Sequence, residues 1–148
     1  MKTITTRKLT LILSLSVLFI LFTGCDNEPD GTPVDFNLTK YSTTMAHSTV
    51  VDMYENSDNY VGKTIKIKGL YDPFFVEELG RELHYIEVEG YDGCCPQYLE
   101  FKWDNENDFS ADINNLKEKD RMVMIGVFGL YDEGDYTNLP YLEVTEWL

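Results

Sequence analysis

Two cysteines stand side by side in the stretch GYDGCCPQYLEF, residues 90–101. Thiolates are soft donors and good nucleophiles. Cys94 and Cys95 therefore point to three roles: a soft-metal site, a thiol redox switch, or a structural pair in a tight loop. A disulfide between neighbours is strained, because adjacent Cα atoms sit about 3.8 Å apart across a trans peptide and ordinary disulfides begin at about 4.4 Å. Such a bridge is easily reduced, which suits a switch better than a staple. A metal site needs more than two thiolates, since zinc takes about four ligands from Cys, His, Asp and Glu. Asp92 is the nearest carboxylate, with Glu89 and Asp72 as further candidates. Zinc or copper(I) is the ion such a loop would take, and nothing else in the chain requires a cofactor.

The chain has two histidines, His47 and His84. His84 opens the strand that precedes the loop, and at about 3.3 Å per residue its ring stays roughly 16 Å from the thiols. It is read with Ile86 and Val88 as part of a core or rim. His47 lies on an earlier helix that can approach the loop, though nothing in the sequence requires it. Pro96 disfavours αR for Cys95, so Cys95 is expected to be extended. Gly93 frees the other side of the loop. There is no Gly-rich phosphate loop, zinc-protease helix or CxxC pair, and Ser, His and Asp fall in no recognisable catalytic arrangement. The reading is non-enzymatic, with no catalytic residue. The acidic runs EVEGYD and YDEGD carry oxygen donors that suit calcium, but a solvated acidic surface explains them more simply.

The third cysteine closes the segment MKTITTRKLTLILSLSVLFILFTGC. Lys2, Arg7 and Lys8 precede an apolar run from Leu9 to Phe22, shorter than the roughly 20 residues of a comfortable bilayer span. This is the layout of an export signal. Gly24-Cys25 at its end resembles the bacterial lipobox, which implies cleavage before Cys25 and a diacylglycerol on its sulfur. The expected location is then the bacterial cell membrane, lipid-anchored and facing outside the cytoplasm, because more than one acyl chain anchors stably.

Cleavage would remove three of the twelve basic residues and none of the 26 acidic ones, moving the net charge from −14 to −17. Nucleic-acid affinity rests largely on Lys and Arg neutralising phosphates, so the expectation is no nucleic acid. The partners expected instead are the membrane, through the lipid, and an envelope protein or small ligand. Residues 1–24 read as signal peptide, 25–41 as a flexible tether with two prolines and a glycine, and 42–148 as one domain.

Within that domain, Ser42, Thr43 or Thr44 can cap a helix that runs to about Glu55, with Ala46, Val50 and Met53 on one face. From Tyr60 the period becomes two. VGKTIKIKGLY puts Ile65 and Ile67 on one face and Lys66 and Lys68 on the other. LHYIEVEG and YLEFKW follow as strands, the latter with Leu99, Phe101 and Trp103 inward and Glu100 and Lys102 outward. DFSADINNLKEKD, residues 108–120, reads as a helix. RMVMIGVFGLYD and YLEVTEWL are the last two strands. Gly69 and Gly129 occupy matching places in IKIKGLYD and IGVFGLYD, where glycine marks a bulge or bend. The order β-β-β-α-β-β, preceded by a short helix, describes a mainly β, OB-fold-like five-stranded barrel. An open α+β sheet is the alternative.

YVGKTIKIKGLY, CCPQYLEF, IGVFGLYDE and YLEV together resemble a family of uncharacterised bacterial lipoproteins with an OB-fold-like domain, over about residues 44–145. The shared pattern is a Tyr-x-Gly-Lys strand opening, a Cys-Cys-Pro-Gln element before the third strand and an aromatic-rich final strand. The resemblance implies a fold and an envelope location and brings no established activity. Taken together, the expectation is a membrane-anchored OB-like binding or interaction module. Aromatics near its loops would line a groove for a peptide, glycan or small ligand. A thiol redox or soft-metal protein acting through Cys94, Cys95 and Asp92 is the alternative.

Overall fold

The computed structural model describes residues 32–104 and 115–148 of the chain. Its elements are β1 (Phe36–Asn37), a 3-10 turn (Leu38–Lys40), α1 (Thr43–Glu55), a second 3-10 turn (Ser57–Asn59), β2 (Thr64–Val76), β3 (Arg81–Val88), β4 (Gln97–Lys102), β5 (Arg121–Glu133) and β6 (Tyr136–Trp147). Among the described residues no helix is long and apolar enough to cross a membrane. Cys25 and the segment before it lie outside the described residues.

The five long strands close on themselves in the order β2-β3-β4-β6-β5 and back to β2. All these pairings are antiparallel except β4 with β6, which is parallel. This is the expected OB-fold-like barrel. Closure depends on β2 changing partners. It pairs with β5 through Thr64–Leu70 and with β3 through Leu70–Val76. Gly69 stands at the changeover, where a Cβ would meet the Glu87 carbonyl oxygen at 2.3 Å, so only glycine lets the strands approach. The matching Gly129 does not mark a shift in register; those in β5 fall at Ile125/Gly126 and Tyr131/Glu133.

The β2–β3 hairpin is longer than the sequence suggests. The segment beyond VGKTIKIKGLY, from Asp72 to Val76, continues the strand. Pro73 is tolerated because β2 beyond Leu70 pairs on its β3 side alone, so the missing N–H interrupts no ladder. The tether expected over 25–41 is also shortened at its end. Asp35 N–H donates to the Thr64 carbonyl at 2.8 Å, β1 pairs with Ile65 and Lys66, and Leu38 is fully buried. Phe36 packs on Tyr60 at 5.1 Å. These scattered apolar residues cover a stretch of β2 that β3 does not reach. Most of the helix expected over 108–120 lies outside the described residues. Its end, from Asn115, forms turns, with Lys119 at φ 68°.

α1 begins as expected, with Ser42 Oγ accepting from the Met45 amide at 3.3 Å. Its buried stripe, Ala46, Val50 and Met53, joins Ile65, Ile67, Leu99, Phe101 and Phe128 in one core. The β-branched pair Val50-Val51 is held helical by this packing, which outweighs propensity.

Candidate functional site

The cysteine loop is built from close backbone contacts. A Cβ on Gly90 would lie 2.2 Å from the Cys94 carbonyl oxygen, Gly93 has φ 74° and Cys95 has φ 51°. Cys95 is thus left-handed, not extended. Pro96 does keep it out of αR, but the tight return of the loop takes the remaining option. Both thiols are free and exposed. Asp92 accepts from the Cys94 amide at 3.3 Å and from its thiol. That second bond favours the protonated form and pushes the Cys94 pKa up to about 11, with the neighbouring Cys95 adding to the shift. The same bond lowers the pKa of Asp92.

The structure brings His47 to the loop and keeps His84 away. His47 Nε2–H donates to the Cys95 carbonyl at 2.9 Å, so as placed this nitrogen ties α1 to the loop and offers no lone pair to an ion. His84 Nδ1 shares a hydrogen bond of 2.7 Å with the Tyr71 hydroxyl, and its ring packs among Tyr71, Phe101 and Trp103. Burial lowers its pKa. Asp72 pairs with Lys119 at 2.7 Å, and Lys119 also pairs with Glu87. Among the described residues no three His, Cys, Asp or Glu side chains converge into a metal-holding group.

The more elaborate polar arrangement lies on the outer face of the barrel. Tyr85 on β3 is directly opposite Glu100 on β4, and Glu100 is opposite Tyr141 on β6. Alternation along each strand sends these side chains away from the core, yet Glu100 is only 4% exposed. Aromatic rings cover it. Tyr131 Oη–H donates to it at 2.5 Å, Lys102 Nζ lies 3.5 Å away, and the same ammonium sits 2.9 Å from the centroid of the Tyr131 ring. Burial raises the pKa values of Tyr54, Tyr85 and Tyr131, and the negative charge of Glu100 adds to each; Tyr54 reaches about 12. These phenols are therefore neutral donors at any physiological pH. Tyr54 reaches this face from α1, its hydroxyl donating to the Tyr98 carbonyl at 2.5 Å. β6 pairs with β4 from Glu100 to Lys102, which leaves that carbonyl without a β6 partner.

A groove of about 440 Å³ opens above this arrangement. One wall comes from the β2–β3 turn, with Val76, Glu78, Leu79 and Leu83. The other comes from the β5–β6 turn, with Glu133, Tyr136, Leu139 and Pro140. Tyr54, Tyr85, Glu100 and Tyr131 line the remainder. Arg81 braces the two hairpins by donating to both carboxylate oxygens of Glu133, at 2.7 and 3.3 Å. A shallower hollow over Asp72, Phe74, Tyr85 and Tyr98 adjoins it through Tyr85. The sequence reading placed Glu100 on the outward face but did not bring Tyr54 or Tyr131 to it. The period-two pattern assigns a face, whereas the covering rings arrive from α1 and β5, which are distant in sequence.

No protein-family model and no curated protein matches the chain. Among solved structures, one from Klebsiella pneumoniae subsp. pneumoniae, named a "putative nucleic acid-binding lipoprotein", is similar over 67% of this chain and 83% of its own, at 19% identity and a TM-score of 0.41. The expectation of no nucleic acid, drawn from net charge, is at odds with that neighbour's name and is withdrawn. Its physical ground was too coarse. Net charge sums over the whole chain, whereas phosphates are contacted by one face, and on this chain Lys66 and Lys68 share the outer face of β2.

Proposed function

We propose that this chain is a membrane-anchored binding module, non-enzymatic, held through a lipid on Cys25 after removal of residues 1–24, with the tyrosine-lined outer groove as its ligand surface. One observation carries the reading: the groove lies between the β2–β3 and β5–β6 turns, beside the outer face of β3 and β4. These are the regions through which OB-type barrels bind oligomeric ligands. Its volume and its mix of apolar walls with a few fixed polar groups are those of a ligand site. The partner is an envelope protein or a small ligand, met outside the cytoplasm.

The test is calorimetric titration of the full chain, in detergent micelles, with a short peptide, an oligosaccharide and an oligonucleotide. A probe that binds wild type should bind Tyr136→Ala at least ~5-fold more weakly, the loss of about 1 kcal/mol that marks a contributing contact. Tyr136 is 71% exposed, so the fold survives the change. Undiminished binding to the variant sinks the reading. Turnover of a common ester, peptide or glycan substrate would count against the non-enzymatic part. For the anchor, labelling cells with a fatty-acid analogue should mark wild type and leave Cys25→Ala unmarked.

A second reading attaches to the loop, where the two exposed free thiols and Asp92 lie together. There the chain would exchange thiols for a labile disulfide or take up zinc or copper(I). Mass spectrometry of alkylated protein across a redox series, and zinc titration of the reduced chain, test it. No two-hydrogen mass change and no zinc bound would end it.

A further inference from the structure

The groove has a chemical polarity that narrows its ligand. Its walls carry Val76, Leu79, Leu83, Leu139 and Pro140, while its charged lining residues are Glu78, Glu100 and Glu133, with no lysine or arginine among them. Arg81 and Lys102 stand beside it and pair with Glu133 and Glu100, which still leaves one more carboxylate than cation. The whole chain carries −14, and a field of that sign draws cations toward a cleft. The ring of Tyr131 already accepts an ammonium, since Lys102 Nζ sits 2.9 Å from its centroid and 3.5 Å from Glu100. An aliphatic stem against apolar walls with an ammonium at a tyrosine–carboxylate end is how lysine side chains bury their length and keep their charge satisfied.

From this we infer that the groove takes a lysine side chain of an extended peptide segment, supplied by a partner protein. The inference rests on the groove being the ligand surface. The stem lies along Leu79, Leu83 and Pro140, and the ammonium is held by Glu78 at the rim and by the face of Tyr136. Glu100 stays with Tyr131 and Lys102 and supplies the negative potential from below.

The experiment compares two peptides on the full chain in detergent micelles: Gly-Lys-Gly-Lys-Gly, and the same peptide with both lysines Nε-acetylated. Acetylation removes the charge and keeps the stem. The lysine peptide should bind and weaken with added salt, the acetylated one should not bind, and Glu78→Gln should weaken the lysine peptide by about threefold, the scale of one exposed ion pair. Three results overturn the inference while leaving the groove reading intact: equal binding of the acetylated peptide that Tyr136→Ala weakens, no effect of Glu78→Gln, or binding at the groove by an oligosaccharide or oligonucleotide but not by the lysine peptide. Lysine-peptide binding that Tyr136→Ala leaves unchanged overturns both.

Discussion

The cysteine loop and the outer groove use similar ingredients, carboxylates beside protonated donors, on opposite terms. In the loop, Asp92 holds the Cys94 thiol at the surface and both thiols stay exposed. In the groove, Glu100 is nearly inaccessible, accepts from Tyr131 and faces Lys102, and these three groups stand on β4 and β5. A buried carboxylate is costly unless its partners are fixed, so the barrel is committed to this geometry in a way that an exposed loop is not. The conspicuous motif and the structurally expensive one are different places. Two hydrogen bonds from α1 link them, His47 to the Cys95 carbonyl and Tyr54 to the Tyr98 carbonyl.

The contrast predicts graded effects. Glu100→Ala leaves the Tyr131 hydroxyl and the Lys102 ammonium without their acceptor, and should cost about 3 kcal/mol or more in urea unfolding. A loss below roughly 0.5 kcal/mol, the range of ordinary surface changes, would mean that Glu100 is solvated after all. Next comes thiol reactivity. Alkylation follows the thiolate, and the bond to Asp92 favours the thiol, so the pH profile of Cys94 should be displaced upward toward about 11. Its rate at neutral pH should fall by roughly tenfold for each unit of displacement. Asp92→Asn should bring the profile back down, and an unchanged profile would remove Asp92 as the cause.

Tyr54→Phe deletes one hydrogen bond to the Tyr98 carbonyl and should cost about 1 kcal/mol. Because the lost bond leaves that carbonyl to water at an edge, a much larger loss would mean that α1 depends on this contact to stay docked. The smallest effect belongs to the loop. Replacing both Cys94 and Cys95 with serine should change unfolding stability by less than about 0.5 kcal/mol, as for other exposed positions. A loss of several kcal/mol would show that the pair holds the β3–β4 connection together.

How much of this was legible in the sequence follows from the range of each signal. Alternation of Ile65 and Ile67 with Lys66 and Lys68, and the spacing of Ala46, Val50 and Met53, are local patterns, and both set the observed faces. The closed barrel was legible from element order and from Gly69, whose lack of a Cβ lets β2 pass from β5 to β3. The extent of β2 was not, because Pro73 reads as a strand end unless the free side of the hairpin is known. Leu38 and Phe36 were lost in a polar, proline-containing stretch, where two apolar residues do not declare a strand. The left-handed Cys95 escaped for a related reason: Pro96 narrows the choices locally, and the return path of the loop picks among them. The groove was the least legible part. Its rings and its buried carboxylate come from α1, β3, β4 and β5: Tyr85 faces Glu100 within the β3–β4 pair, but Tyr54 and Tyr131 reach it only through docking of α1 and closure of the barrel.

The central claim is that ligand meets the chain at the groove and not at the cysteine loop. The direct measurement is mapping of backbone amide shifts in the isotopically labelled full chain, in micelles, during titration with the lysine peptide. The account predicts that the largest changes fall on residues 76–85 and 131–140 and that residues 89–96 move little, with the same pattern in the double serine variant. Changes concentrated on residues 89–96, or abolished when Cys94 and Cys95 are replaced, would contradict it.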